Sequence, residues 1–505
     1  MKNLFKYIFL LFSLFILSCD DGFDNLNINK NAATAINPAF ILNNAVINAS
    51  FVSQTVQYEM GIVQQVISPN SGVLTGANYN QDNREATNQN WIRYYRAVVR
   101  NTVDVINQTK DVPTRSNLYN MARILQAFSY IILTDSYGDI PYFEAGEGYI
   151  KQLTSPKYDA QKDIYADIIK ELSEASAALD ASKVIETADL LYGGDIAKWK
   201  KFGYSTLLRA GMRLVKIDAA LAQSTVQKAV AGGLMTANTD NAIVRHDANY
   251  TNAVGQMLNS TEAANFYMTA PFVDFLKNTN DPRLKAFAVR YVGAKSGPEQ
   301  VAAKASTDPA TQIGMPMGLD NTGAVAKAKE LNLASFYDFT QVDRTRFAKN
   351  TASMFLVTFA QTSLLLAEAI QRGWASGSAA DAFKNGIKAH MEECAIHDAG
   401  SAIAAADITK YTDANPYDAA KGLEQINNQY WIACFMNGPE AFANFRRSGF
   451  PKLTPNPFAG KAIKGDFIHR LTYPNSEISV NSDKVKEAIA RQGADDLDTR
   501  VWWDK

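Results

Sequence analysis

MARILQAFSYIILTDSYGDIPY, residues 121–142, carries two signals at once. Ile124, Leu125, Phe128 and Ile132 recur every three or four residues, which places them on one face of an α-helix. The run then meets Gly138 and, soon after, Pro141. Glycine can take a positive φ just past a helix, Asp139 can hydrogen-bond nearby backbone, and Pro141 keeps the helix from resuming. The stretch predicts an apolar helix that stops on a tight turn.

The same period runs through most of the chain. Ile164, Ile168, Leu172, Ala175 and Leu179 share a face, and so do Trp91, Tyr94, Tyr95, Val98, Val99, Val105 and Ile106. Trp199 and Phe202 lead into Leu207, Leu208, Met212 and Leu214. Residues 354–393, MFLVTFAQTSLLLAEAIQRGWASGSAADAFKNGIKAHMEE, read as helix, Gly-rich turn at Gly373 and Gly377, and helix. Ala379, four before Phe383, fits part of the tetratricopeptide pattern. Another helix is expected from about Leu423 to Phe445. Ala127, Ala367 and Ala369 are small enough to let paired helices approach closely. The spacing between pairs is irregular, so the repeats are degenerate. An all-α chain of helical hairpins is expected, with Trp91, Trp199 and Trp431 in its core.

Two stretches lack the period. Residues 61–90 are rich in Asn, Gln, Gly and Ser, and residues 236–350 mix Asn, Gly and Pro with isolated aromatics. Long segments of this kind in a compact protein are usually functional, so a binding surface is expected there. In GANYNQDN (76–83) Tyr79 sits between Asn78 and Asn80; in NFYM (265–268) Phe266 and Tyr267 follow Asn265. An exposed aromatic covers the C–H face of a sugar ring, while Asn donates to and accepts from its hydroxyls. Asn78, Tyr79, Asn80, Asn265, Phe266 and Tyr267 are therefore the candidate ligand-binding residues. An extended peptide would suit the same groups. On this reading Tyr79→Ala weakens binding and leaves the melting temperature nearly unchanged.

The N-terminus carries a location signal. Lys2 and Lys6 precede an apolar run from Tyr7 to Leu17, of signal-peptide length and too short to span a membrane comfortably. The run ends in FILSCDDGFD (15–24), where Ile16-Leu17-Ser18-Cys19 resembles the bacterial lipobox. Residues 1–18 are expected to be a lipoprotein signal peptide, and Cys19 the mature N-terminus carrying acyl chains such as palmitate. Several chains anchor stably, since each buried methylene contributes about 0.8 kcal/mol. Asp20, Asp21 and Asp24 look like the export tag of Bacteroidetes lipoproteins displayed on the cell exterior. Hydrophobic residues make up 47% and charged residues 20% of the chain, as in an ordinary globular protein with ample core. A net charge of −1 provides no basic field for nucleic acid. With Cys19 lipidated, Cys394 and Cys434 exclude a disulfide framework but not a single bond. No charge block or Pro/Gly/Ser-rich linker divides the chain, so residues 19–505 are expected to form one domain.

Signatures of catalysis are missing. There is no P-loop, G-x-G-x-x-G, H-E-x-x-H or G-x-S-x-G. In HMEECAIH, His390, Cys394 and His397 share a helical face, but a straight helix spreads them over about 10 Å, too far for tetrahedral closure. No metal or cofactor is expected. Asp135 with Asp139, or Glu144 with Glu147, could be nominated as a glycosidase pair, but among 51 acids such nominations are cheap. Glu368, within the apolar run LLLAEA, is the acid expected to be buried, beside an arginine or backbone amide. No enzyme activity is expected.

Several segments together resemble the SusD/RagB family of Bacteroidetes outer-membrane lipoproteins. RILQAFSYIILTDSYGDIPYFEA (123–145) is similar to its helix ending in a D-x-x-G-D-I-P-Y turn. WKKFGYSTLLRAGMRL (199–214) is similar to its W-K-K-F-A-N-S-L helix, from which it departs at Gly203 and Tyr204. LLLAEAIQRGW (364–374), NGPEAFANFRRSGFP (437–451), RLTYPNSEISVN (470–481) and TRVWWDK (499–505) also fit. The resemblance implies a right-handed superhelix of tetratricopeptide-like hairpins with a loop-rich region packed on it. It also implies a lid on a SusC-like TonB-dependent β-barrel, which captures a glycan or peptide at the cell surface and delivers it for import. A periplasmic tetratricopeptide adaptor is the alternative from another class.

Overall fold

The computed structural model of the protein describes residues 36–70 and 76–505; Cys19, the signal peptide and the acidic tag lie outside the described residues. α1 (Pro38–Asn48) opens the helical scaffold. α2 (Arg84–Arg93) and α3 (Arg100–Thr109) follow, joined by a π-helical turn at Tyr94–Val99. α4 (Ser116–Tyr137) is the helix expected from residues 121–142. It stops at Gly138, whose φ is +81°. Asp139 then accepts from the Gln161 backbone N–H at 2.8 Å and from Arg491 Nε at 2.6 Å, which pins the turn.

α5 (Gln161–Ala178), α6 (Ile196–Arg213) and α7 (Ala219–Gly232) continue the scaffold, and α8 (Phe359–Gln371) and α9 (Ala379–His397) resume it beyond the loop-rich stretch. α4 packs on α5, α6 on α7 and α8 on α9, and each pair meets the next through α5–α6 and α6–α8. These are the tetratricopeptide-like hairpins of the expected superhelix. Trp91, Trp199 and Trp431 are all buried.

The single helix expected from Leu423 to Phe445 is two: α10 (Gly422–Ala433) and α11 (Gly438–Ser448). Met436 takes a φ of +70°, Asn437 caps α11 through the Glu440 N–H, and Pro439 occupies its first turn. Apolar periodicity on both sides of the break hides these breakers. α12 (Ser482–Gln492) reaches back to the turn after α4, where Gln492 Oε1 accepts from the Asp139 N–H at 2.9 Å.

The departure at Gly203 and Tyr204 has a packing cause. A Cβ on Gly203 would lie 2.0 Å from Ser176 Oγ, so the glycine lets α5 and α6 approach there. Tyr204 covers Gly232 on α7, where a Cβ would strike its ring at 2.2 Å. Each unusual residue is matched by a small one on the facing helix.

Charged pairs sit within this core. Arg213 bridges Asp135 at 3.0 Å and Glu440 at 2.6 Å, and Trp503 donates to Asp135 at 2.8 Å. Arg447 grips both oxygens of Glu368 at 2.7 Å, with Arg372 at 2.8 Å and Asn427 at 3.1 Å completing the shell. Glu368 is buried as expected but is not alone, since Glu59, Asp135, Glu393 and Glu440 are buried too. Burial alone pushes the Glu368 carboxyl up, and the two arginines more than reverse this, to about 2.

Candidate functional site

The two stretches without helical period fold against each other. Val66 and Ile67 pair antiparallel with Met268 and Tyr267, and Thr269 bridges to Met315. Ile67, Tyr267, Met315, Met317, Ala324, Ala328 and Phe339 form a small separate core beneath them. Trp431 on α10 donates from Nε1 to the Val63 carbonyl at 3.0 Å, and Gln65 returns a bond to the Trp431 carbonyl at 2.8 Å. The helical scaffold thus fixes where the first stretch leaves it.

Asn78 is the joint of this loop face. Its Nδ2 donates to the Ser68 and Leu319 carbonyls, both at 3.0 Å, and its Oδ1 accepts from the Gly318 N–H at 2.8 Å. Asn456 donates to the Asn78 carbonyl at 2.6 Å, bringing in the segment 454–462. Asn80 sits at a φ of 50° and is buried, in the left-handed conformation that Asn tolerates.

Five of the six candidate residues are buried. Tyr79 is 7% exposed, stacked on Phe458 at 4.2 Å, and donates to the Pro69 carbonyl at 3.2 Å. Burial, with help from the Asp320 carboxylate, pushes its phenol up to about 12. Phe266 and Tyr267 are buried, and the Tyr267 hydroxyl is bonded to the Ala264 carbonyl. Asn265 alone keeps partial exposure and donates to Glu262 at 2.7 Å. The Asn78 side chain bonds the backbone of distant segments, so it supports the face and is not one of its open groups.

The partly open rings are others. Phe458 lies over Tyr79, and Phe336 stacks on Tyr337 at 4.2 Å while meeting Tyr267 edge-on at 6.2 Å. Asp320 is exposed near Tyr79. Sequence reasoning passed over NPFAG (456–460) and SFYD (335–338). The available signal was an aromatic next to Pro, Gly or Ser, outside any helical period. Partly exposed rings beside a carboxylate and backbone amides can cover a sugar face and bond its hydroxyls.

A family model described as starch-binding and associating with the outer membrane, SusD-like, matches residues 30–474. The chain belongs to this family. Among solved structures, a chitin-binding protein is 30% identical, with a TM-score of 0.81 over 93% of this chain and 100% of that one. A Bacteroidetes SusD-like protein is 27% identical at the same TM-score and the same coverage. A chitin-binding SusD homologue from Flavobacterium johnsoniae, at 24% identity and a TM-score of 0.73, covers 93% of this chain and 98% of its own and shares the fold. No curated protein sequence matches the chain.

The other chemistry-bearing residues of this SusD-like chain have structural partners. Asp135 and Asp139 are bonded as described above, Glu144 accepts from the Lys157 N–H at 2.9 Å, and Glu147 pairs with Lys151 at 2.7 Å. His390 meets Arg283 at 3.0 Å, and burial first, then that guanidinium, holds its imidazole well below the ordinary value. Cys394 donates to the His390 carbonyl, and His397 stacks on Phe347 at 3.9 Å. No group of metal-ligating side chains is found among the described residues. His390, Glu393 and His397 line an internal cavity of about 20 Å³, room for one water and not for a ligand. Cys394 and Cys434 are buried free thiols.

Proposed function

We propose that this SusD-like protein is a surface lipoprotein that captures a glycan and delivers it to a SusC-like TonB-dependent outer-membrane transporter, without chemistry on the ligand. The observation that carries the reading is the 30% identity, over the full length of that structure, to a chitin-binding protein. The family description, starch-binding and associating with the outer membrane, points the same way. The Ile16-Leu17-Ser18-Cys19 sequence supports a lipid anchor at Cys19 after removal of residues 1–18, with residues 19–505 as the single working domain. The loop face is the proposed capture surface, with Phe458, Phe336, Tyr337 and Asp320 open to ligand. Asn78, Tyr79, Asn80, Phe266 and Tyr267 act there as its support, and Asn265 lies at its edge.

Isothermal titration calorimetry with N-acetylated chitin oligosaccharides and with maltooligosaccharides tests capture. Binding without cleavage of the sugar is expected. Failure to bind either series, or release of new reducing ends, would remove the reading. A mild-detergent pull-down from the native outer membrane tests delivery. A β-barrel recovered near one to one is expected, whereas recovery with periplasmic proteins would favour the adaptor.

A further inference from the structure

A second concave surface lies on the helical hairpins and shares no residue with the loop face. It runs between α3, α4, α5 and the chain after Pro141, and encloses about 290 Å³. That is the low end of small-ligand pockets, enough for one or two sugar rings. Its floor is aromatic. Tyr142 packs on Tyr130 at 4.3 Å, and Phe143 meets Tyr142 edge-on at 4.8 Å. Phe143 is 49% exposed, although the tyrosines beneath it are buried.

The polar groups around this floor are held in place by bonds to one another and to residues behind them. Arg123 grips Glu171 at 2.6 Å and 3.0 Å, and Tyr142 donates to Asp167 at 2.9 Å. Gln126 donates to Thr102 at 3.3 Å, which leaves its carbonyl oxygen without a bond from that partner. Asn107 on α3 and Lys110 just past its end are exposed on the opposite wall, with Glu147 and Lys151 closing one end. Two lysines against three carboxylates give no strong field of either sign, which disfavours an ionic ligand. Asn107 and Gln126 instead bring neutral donors and acceptors to the same groove as the Phe143 ring. A neutral, polyhydroxylated ring matches that pattern: its C–H face covers Phe143, and its hydroxyls both donate and accept.

We infer that this groove is a second saccharide-binding site, separate from the loop face, that takes a neutral pyranose unit on Phe143. The inference rests on the reading of the protein as glycan-binding. It gives the protein two contacts for one long chain or two short ones, and tethering by a second contact raises overall affinity without new contacts at the first.

Calorimetry with N,N′,N″-triacetylchitotriose and with maltotriose, on the full chain and on Phe143→Ala, Phe458→Ala and Gln126→Ala, tests this. Two equivalents of sugar per chain are expected for the unchanged protein. Phe143→Ala should weaken one of them about tenfold, the worth of a lost aromatic contact. Gln126→Ala should weaken the same equivalent, and Phe458→Ala should spare it. Near-unchanged melting temperatures would confirm that the half-exposed ring and the rim amide act on ligand and not on folding. A single equivalent that Phe143→Ala and Gln126→Ala leave untouched would overturn the groove while sparing the loop face. A single equivalent lost in Phe143→Ala and kept in Phe458→Ala would establish the groove and overturn the loop face. No heat from either sugar would overturn both.

Discussion

The helical hairpins and the loop face hold together by different means. In the hairpins, apolar stripes at helical spacing supply the burial, and a few ion pairs are locked inside. In the loop face the apolar core is small, and side-chain amides take over by bonding the backbone of distant segments, as Asn78 and Asn456 do. Backbone polar groups cost free energy when buried without partners, and a helix satisfies its own. Irregular chain cannot, so its partners must be borrowed from side chains. An Asn-rich stretch in a large protein therefore carries two opposite meanings, an open surface or a densely bonded interior.

The contrast can be broken most severely in the hairpins. Arg447→Ala should destabilise by about 3–5 kcal/mol, since it leaves Glu368 charged and buried with one arginine fewer; a urea midpoint close to the parent's would remove the ion pair from the account. The same carboxyl has a pH signature. Its folded value of about 2 lies below the ordinary 4.5, so its contribution is whole above about pH 4.5 and fades as pH falls toward 2. In the loop face Tyr79→Ala should cost about 3 kcal/mol, the price of an aromatic lost from a packed site. That reverses the unchanged melting temperature expected from sequence, whereas Phe458→Ala should cost about 1 kcal/mol and act mainly on ligand. Equal thermal shifts for the two would erase the distinction between support and open ring.

Gly203→Ala should cost about 1–3 kcal/mol by forcing α5 from α6. Ser176 Oγ is buried with no bond, so Ser176→Ala should be nearly neutral alone and should recover part of the loss. Strict additivity of the two changes in a double-mutant cycle would mean that the helices do not meet there. Glu393 offers a test by pH. Burial pushes its carboxyl up to about 8, with the Asn241 bond at 3.1 Å opposing only partly. A raised value means stability is lost as pH climbs from about 4.5 through 8. Glu393→Gln should match its parent near pH 5 and exceed it near pH 8.5; parallel pH curves would show that the carboxyl is not held neutral.

Legibility followed the same divide. Glu368 could be read as buried, beside an arginine or backbone amide, because its neighbours in LLLAEA leave it nowhere else to go. Gly138 and Pro141 announced their turn because backbone geometry is local. The break between α10 and α11 was missed because apolar residues continue through it, although Gly438 and Pro439 were in view. Tyr79 was misjudged for a different reason. What buries it is Phe458, far along the chain, and no local pattern in GANYNQDN reports that contact. The partly open rings Phe336 and Tyr337 have no flanking amide in SFYD to mark them as binding groups.

Trp503 bonds Asp135 across 368 positions of sequence. During synthesis α4 emerges long before the indole that completes its buried carboxylate. The nascent chain must keep that part of its interior unfinished until nearly all of it has been made, and closing so large a loop is slow. A polypeptide that delays its own locking stays pliable until its last residues have been made.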